Sequence, residues 1–408
     1  MFRKKILLIH PTGNANVRAV LEGLHSEKYL DRFYTTIAVS EDSFWIKILT
    51  AFKKRSYNPS LLKLTVVHPF RELMRLVSQR IGFYSFITHE TGFFSIDKVN
   101  RGLDAFVASK IKKNSIIYAY EDAALTTFKK AKDSGGFCIY DLPIGYWRAM
   151  RYLLEEERVR RSAWAKTLTG FKDSESKVAR KDEELMLADL IIVASTFTLK
   201  TLERFPGKLP PVKVIPYGFP PVYENRDYTH LIKSDTLKLL FVGGLSQRKG
   251  IANVFEAVEQ VDNVSLTVIG RKPVTNCEPL NRFLLKHRYI ESLNHDAILN
   301  EMRAHDVLLF PSLFEGYGLV ITEAMSQGTP VITTDRTCGA DFIEDGINGW
   351  LVEPGNTQAL VHKINHILSD IRMIEKIGIR AQELAAKNPI SQYGSRLLAT
   401  LRQEIFEY

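Results

Sequence analysis

Cysteine is scarce in this chain: Cys138, Cys277 and Cys338 are the only three in 408 residues, and they lie far apart. That excludes a disulfide framework and a cysteine metal cluster, and it fits a reducing compartment. Long apolar runs are missing as well, since none approaches the eighteen or so residues that span a bilayer. The first run, Ile6 to Ile9 behind Phe2-Arg-Lys-Lys, is too short for a signal peptide and stops at His10-Pro11, so it reads as a buried strand. We therefore expect a cytoplasmic chain, or one at the inner face of the membrane. Acidic residues are the smaller charged class, 46 against 55 Lys and Arg, for a net charge of +9. This balance suits acidic partners such as nucleotides, anionic lipids or nucleic acid. Nucleic acid is set aside because no recognised motif for it is present.

What is present is an alternation. With 45% hydrophobic residues the chain can bury substantial cores, and its length favours two or three domains. Strand patterns at Ile6 to Ile9, Thr35 to Val39, Leu64 to Val67, Ile116 to Tyr118, Phe137 to Tyr140 and Leu190 to Ala194 are separated by helical ones. Prolines at 206, 210, 211, 216, 220 and 221 then punctuate the chain around a short strand, Val212 to Ile215. A second series follows, with strands Leu237 to Val242, Ser265 to Ile269, Val307 to Phe310 and Val331 to Thr333. Such alternation predicts parallel sheets wrapped by helices, with ligands at the carboxyl ends of the strands.

Asp306 to Pro330 is the most informative stretch. A buried strand runs into Pro311-Ser312, passes Gly316 and Gly318, and enters a helix from Leu319 that Gly328-Thr329-Pro330 stops. The unpartnered N–H groups and the dipole of that helix favour an anion. Glu315 and Glu323, with seven residues between them, bracket the place. Carboxylates are poor phosphate ligands and good acceptors for sugar hydroxyls, so a nucleotide sugar fits; a solvated loop residue and an ordinary first-turn glutamate are the alternatives. Gly243-Gly244-Leu-Ser-Gln-Arg-Lys-Gly250 forms a second loop of this kind, where Arg248 and Lys249 beside a helix start suit a bound diphosphate or a solvated basic turn.

In the first half, Gly13 and Asn14 follow the first strand and Asp141 follows another, an address that faces the cleft in such folds. Asp141 before Leu-Pro reads equally as a turn or cap residue. Between Trp45 and Gly82, eight basic residues (Lys47, Lys53, Lys54, Arg55, Lys63, Arg71, Arg75, Arg80) and one acid, Glu72, mix with aromatics. A solvated helix face is the simplest account, and peripheral contact with an anionic membrane through 45–82 is the other.

Phe241 to Gly250, Val268-Ile-Gly270, Asp306 to Pro311, Glu315-Gly-Tyr-Gly-Leu319, Glu323-Ala-Met325, Gly328 to Ile332, Glu344 to Val352 and Pro354-Gly355 together resemble the retaining GT-B glycosyltransferases of family 4. The resemblance spans the second half in order and touches the first half only at the Gly13 loop, Tyr118 to Asp122 and Ile215 to Gly218. It implies two Rossmann-like domains facing each other across a deep cleft. The acceptor-binding domain would be 1–220, completed by a C-terminal helix in 390–408 that crosses back. A linker at 221–235 and a donor-binding domain at 236–389 complete the expectation. It also implies a hexosyltransferase using a UDP- or GDP-linked sugar and a glycan or lipid-linked acceptor, in cell-surface polysaccharide assembly.

By the same resemblance Glu315 faces the donor sugar, Glu323 holds the ribose, and Lys249 neutralises the diphosphate. Gly243, Gly244, Gly270, Tyr317, Gly318 and Leu319 line the donor, and Gly13 and Asn14 face it from the other domain. The family's partner arginine falls at Gly244, so either Arg248 substitutes for it or phosphate neutralisation is weaker in this chain, and Asp141 stands where many members carry a histidine. No Asp-x-Asp motif occurs, so neither metal nor other cofactor is expected. A GT-B-fold sugar-nucleotide epimerase and a non-catalytic donor-fold subunit are the competing readings.

Overall fold

The computed structural model describes residues 5–43, 55–232 and 235–406. The first domain holds a parallel sheet built from β1 (Ile6–Ile9), β2 (Leu30–Thr35), β5 (Thr65–Val67), β6 (Ile116–Tyr120), β7 (Phe137–Leu142), β8 (Leu190–Val193) and β9 (Val212–Val214). Its strand order is β5-β2-β1-β6-β7-β8-β9. A separate short pair, β3 (Val39–Ser40) and β4 (Ser56–Tyr57), lies beside it. The second domain holds β10 (Leu237–Val242), β11 (Val264–Ile269), β12 (Arg288–Ile290), β13 (Val307–Phe310), β14 (Val331–Thr333) and β15 (Trp350–Leu351) in the order β12-β11-β10-β13-β14-β15. The central strands β1, β6 and β13 are unbroken buried runs, and β10 is broken only by exposed Lys238, because helices cover both faces of each sheet.

Sheet order reverses at β1/β6 in one domain and at β10/β13 in the other, which opens a crevice at the carboxyl ends of each pair. The two crevices face one another. A Cβ on Gly316, in the loop after β13, would come within 2.2 Å of the Pro143 carbonyl oxygen and 2.6 Å of Ile144 Cα, in the loop after β7. Only glycine permits that approach.

The chain crosses between domains at Phe219, whose N–H donates to Asn388 O and whose carbonyl accepts from Ile390 N. The helix Tyr393–Leu401 then lies on Ala15–Ser26, with Gly23 and Gly394 meeting backbone to backbone. The C-terminal helix therefore crosses back to the first domain.

Two local readings differ from the structure. The strand expected at Thr35 to Val39 is Leu30–Thr35, because Lys28 turns the chain in the left-handed region (φ +61°) and Leu30, Phe33 and Tyr34 then bury. Strands β12 and β15 were not expected, being edge strands of three and two residues with no pattern to read. More consequential is an arm from the first half. After the helix Trp147–Arg160, the turn Ser162–Thr167 leaves its own domain and places Trp164 in the second core, 6.2 Å from Phe255 and 6.3 Å from Phe283 between ring centroids. Arg161 pairs with Glu256, and Gln247 donates from its side-chain amide to Glu157 Oε1 (2.5 Å) and from its backbone N–H to Thr167 Oγ1 (3.0 Å). Trp164→Ala removes a buried ring from that core and is expected to cost about 3–5 kcal/mol, measured by urea denaturation. A loss below about 1 kcal/mol would show the arm to be incidental to the second domain.

Candidate functional site

The loop after β13 and the loop after β10 are joined by charge. Glu315 Oε2 lies 2.5 Å from Lys249 Nζ and 3.2 Å from Arg248 Nη1. Arg248 also donates to Phe314 O (2.6 Å), while its own carbonyl accepts from Leu313 N (2.8 Å) and Ser312 Oγ (3.1 Å). Lys249 Nζ stands 4.7 Å from the Phe310 ring centroid. Burial pushes the Glu315 carboxyl up, but Lys249 and then Arg248 outweigh it and hold the group down at about 2. Burial lowers Lys249, and the same carboxylate holds it up. With two cations on one carboxylate, the cluster retains positive charge toward the cleft.

Gly318 adopts φ +90° and caps the helix Leu319–Ser326, whose first N–H groups have no partner within the helix. Glu323 lies on that helix with Oε1 3.6 Å from His295 Nδ1, and burial raises its carboxyl against the opposing pull of His295. Tyr317 turns away from the cleft: its hydroxyl accepts from Gly218 N (3.0 Å), so its side chain ties the loop to the interdomain crossing. Gly243 and Gly270 end neighbouring strands, and a Cβ on Gly270 would overlap Gly243 O at 1.8 Å. Gly244 is exposed and a Cβ there would meet nothing within 4 Å. Where the family's arginine would stand there is open space, and both nearby cations sit on Glu315 instead.

Across the cleft, a cavity of about 340 Å³ opens at the carboxyl ends of β1 and β6, lined by His10, Asn14, Asn16, Arg75, Tyr120 and Glu121 among others. Asn14 lines it and also caps the helix Ala15–Ser26 by accepting from Val17 N (2.9 Å). Gly13 packs on Tyr57. Asp141 does not reach the cleft, contrary to expectation. Its carboxylate is buried behind Tyr120 and Tyr217, accepts from Tyr118 Oη (2.6 Å), and is pushed up by burial to about 7. A strand-end carboxylate with hydroxyl partners at hand is satisfied inside the domain.

Three features escaped sequence reasoning. His10 Nδ1 accepts from Thr12 N (3.1 Å) and Gly13 N (2.9 Å), and burial lowers the ring to about 4, so a neutral imidazole shapes the first loop. Glu121, at the end of β6, lines both the 340 Å³ cavity and a second one of about 250 Å³, which Ser246, Arg248 and Phe314 close from the other domain. Lys181 Nζ holds it at 3.2 Å, and the next residue, Asp122, is fixed at φ +70° by the bond from its N–H to Glu184 Oε2 (2.9 Å). Its position just past a buried strand, the same address as Asp141, was the available signal. The third feature is Glu72, buried between Arg55 and Arg75, whose Nε donates to it at 2.7 Å. Among the described residues, His89, Glu90 and Asp173 have the spacing for a metal ion, but the Lys177 ammonium already sits 3.1 Å from Asp173.

Residues 224–384 match the family described as Glycosyl transferases group 1. Among curated proteins, the capsular polysaccharide biosynthesis glycosyltransferase CapM of Staphylococcus aureus is 32% identical over 159 residues, 36% of this chain and 41% of that protein. The lipopolysaccharide 1,2-N-acetylglucosaminetransferase of Salmonella typhimurium is 28% identical over 205 residues, 44% of this chain and 53% of that protein. The chain thus matches about half or less of the length of these relatives. Among solved structures, sucrose-phosphate synthase from Thermosynechococcus elongatus superposes with a TM-score of 0.69 at 19% identity, covering 98% of this chain and 99% of that one. HepE of Anabaena, in complex with UDP and glucose, gives 0.65 at 19%, covering 98% and 100%. The likeness shows the GT-B fold over the whole length, and residues 224–384 are similar to the group 1 glycosyltransferases.

Proposed function

We propose that this chain transfers a hexose from a UDP- or GDP-linked sugar to a glycan or lipid-linked acceptor, with retention and without a metal ion. The observation that carries the reading is the Lys249–Glu315–Arg248 cluster at the mouth of a helix N-terminus, facing the first-domain cavity across the cleft. Breaking the bond between the anomeric carbon and the diphosphate puts negative charge on the leaving phosphate. Lys249, Arg248 and the first amides of the helix at Gly318 and Leu319 stabilise that charge, and Glu315, released from its ion pairs, accepts from the sugar hydroxyls. Glu323 holds the ribose. The acceptor occupies the cavity between His10 and Glu121 and attacks on the face the diphosphate leaves. The named relatives in capsule and lipopolysaccharide synthesis support a place in polysaccharide assembly. Peripheral contact with an anionic membrane through 45–82 is a separate part of the proposal, and residues 45–54 of that span lie outside the described residues.

Two outcomes test it, and a third tests the burial of Asp141. Glu315→Ala is expected to lower nucleoside-diphosphate release about 10²-fold or more with the circular dichroism spectrum unchanged; an active variant would remove Glu315 from the site. Gly244→Arg places a guanidinium in open space beside the diphosphate and is expected to tighten donor binding roughly tenfold by calorimetry, whereas no change would mean the phosphates lie elsewhere. Asp141, raised to about 7 from an unfolded value near 3.9, binds its proton more tightly in the folded chain. Its stabilising contribution is full below pH ~4 and is lost as pH rises through ~7. Asp141→Asn, which mimics the neutral acid, should flatten that part of the stability profile in urea titrations across this range. An unchanged slope would place the titration on another group.

A further inference from the structure

The helix Phe70–Arg80 is built inside out. Phe70, Leu73, Val77 and Ile81 recur at helical spacing on one face, yet they are between 38% and 61% exposed, while Glu72 and Ser78 on the opposite face are 2% and 4% exposed. A surface helix ordinarily does the reverse. The reason for the buried side is visible: Glu72 turns inward to meet Arg55 and Arg75. Among the described residues, no comparable contact covers the apolar side.

That face does not stand alone. Phe94 is the hub of an aromatic cluster, with Phe70 at 6.2 Å, Phe86 at 6.1 Å and Phe93 at 5.0 Å between ring centroids, and Phe83 adds a further ring 6.2 Å from Phe86. Phe70, Phe83, Phe86 and Phe93 are all exposed around it, as are Tyr84 and Ile96. One surface thus collects a helix stripe and a ring cluster, more than the scattered single apolar residues of an ordinary exterior.

Its charge is one-sided. Arg80 is exposed, and Arg71 lies over the Phe93 ring at 5.0 Å. The carboxylates of the same stretch are turned inward: Glu72 onto its arginines, Glu90 onto Ser174 N (2.9 Å), and Asp97 onto Lys177 (2.9 Å). Exposed aromatics and aliphatics flanked by arginines, with the acids withdrawn, complement an anionic lipid surface, where apolar groups sink below the headgroups and cations remain among them. The face also borders the first-domain cavity, since Ile96 is exposed on the surface and lines the cavity together with Arg75.

We propose that the face formed by Phe70, Leu73, Val77, Ile81, Phe83 and Phe93 seats in an anionic bilayer leaflet and holds the adjoining first-domain cavity open toward the lipid headgroups. The seating does not depend on the sugar-transfer reading, so the two fail separately. It places the contact at 67–96, overlapping only the end of the basic segment that composition alone singled out.

The test is co-sedimentation of the full chain with vesicles of phosphatidylcholine alone and of phosphatidylcholine mixed with phosphatidylglycerol, at low and high salt. The chain is expected to pellet with the mixed vesicles, less so at high salt. The triple variant Val77→Ser, Ile81→Ser and Phe83→Ser changes exposed side chains only. It should bind on the order of tenfold or more weakly, with an unchanged thermal melt and unchanged donor binding. Failure of the wild-type chain to pellet with the mixed vesicles, or equal pelleting by the triple variant, overturns the proposal. So does a dimer in light scattering that the triple variant dissociates, which assigns the face to a second copy of the chain.

Discussion

The ion cluster of Glu315 with Lys249 and Arg248 is the constraint on which the cleft depends. Two loops that emerge from neighbouring strands, β10 and β13, would each be free to drift, but the shared carboxylate and the Arg248 carbonyl lock them into one wall. Taking three charges out of water costs more than their attraction returns unless hydrogen bonds complete the set; here the Phe314 carbonyl accepts from the Arg248 guanidinium, while Leu313 N and Ser312 Oγ hold the Arg248 backbone carbonyl. Such a cluster is a poor choice for stability alone. It makes sense where a ligand anion can share the cations, because both arginine and lysine then exchange one negative partner for another without being stranded.

Around that wall the rest of the molecule works as a frame. Gly316 brings the loop after β13 against Pro143 and Ile144, Tyr317 ties it to Gly218 at the crossing, and the Ser162–Thr167 arm anchors the first half in the second core through Trp164. Each is a contact between parts distant in sequence. Together they hold Glu121 between two cavities, one shared with Arg248 and one leading toward the inverted helix face. No described helix is long and apolar enough to cross a membrane.

Much of this was legible in the sequence, for a physical reason. Buried parallel strands leave unbroken apolar runs, and strand-to-helix turns leave glycines, so β10, β13 and the helix at Leu319 could be placed within a residue or so. Glu315, Arg248 and Lys249 were identifiable because their loops carry a distinctive order of residues, and the structure brings all three together. What could not be read depends on distant contacts. Asp141 shares the strand-end address of a cleft residue, yet Tyr118 and Tyr217, 23 residues before it and 76 after it, enclose it. Trp164 follows a run rich in charged residues, and the facing Phe255 and Phe283 explain its burial. The helix Phe70–Arg80 has an ordinary amphipathic pattern, and periodicity cannot tell which face turns inward.

The central claim is that the two cavities and the cluster between them move a sugar off a diphosphate. The most direct measurement is incubation of the full chain with a panel of nucleotide sugars, followed by chromatography and mass spectrometry of nucleotide and sugar products. The account predicts that one UDP- or GDP-linked hexose is consumed with release of its nucleoside diphosphate and appearance of a glycosylated or hydrolysed product. A donor that is bound and recovered intact, or recovered as its epimer with no diphosphate released, would contradict it.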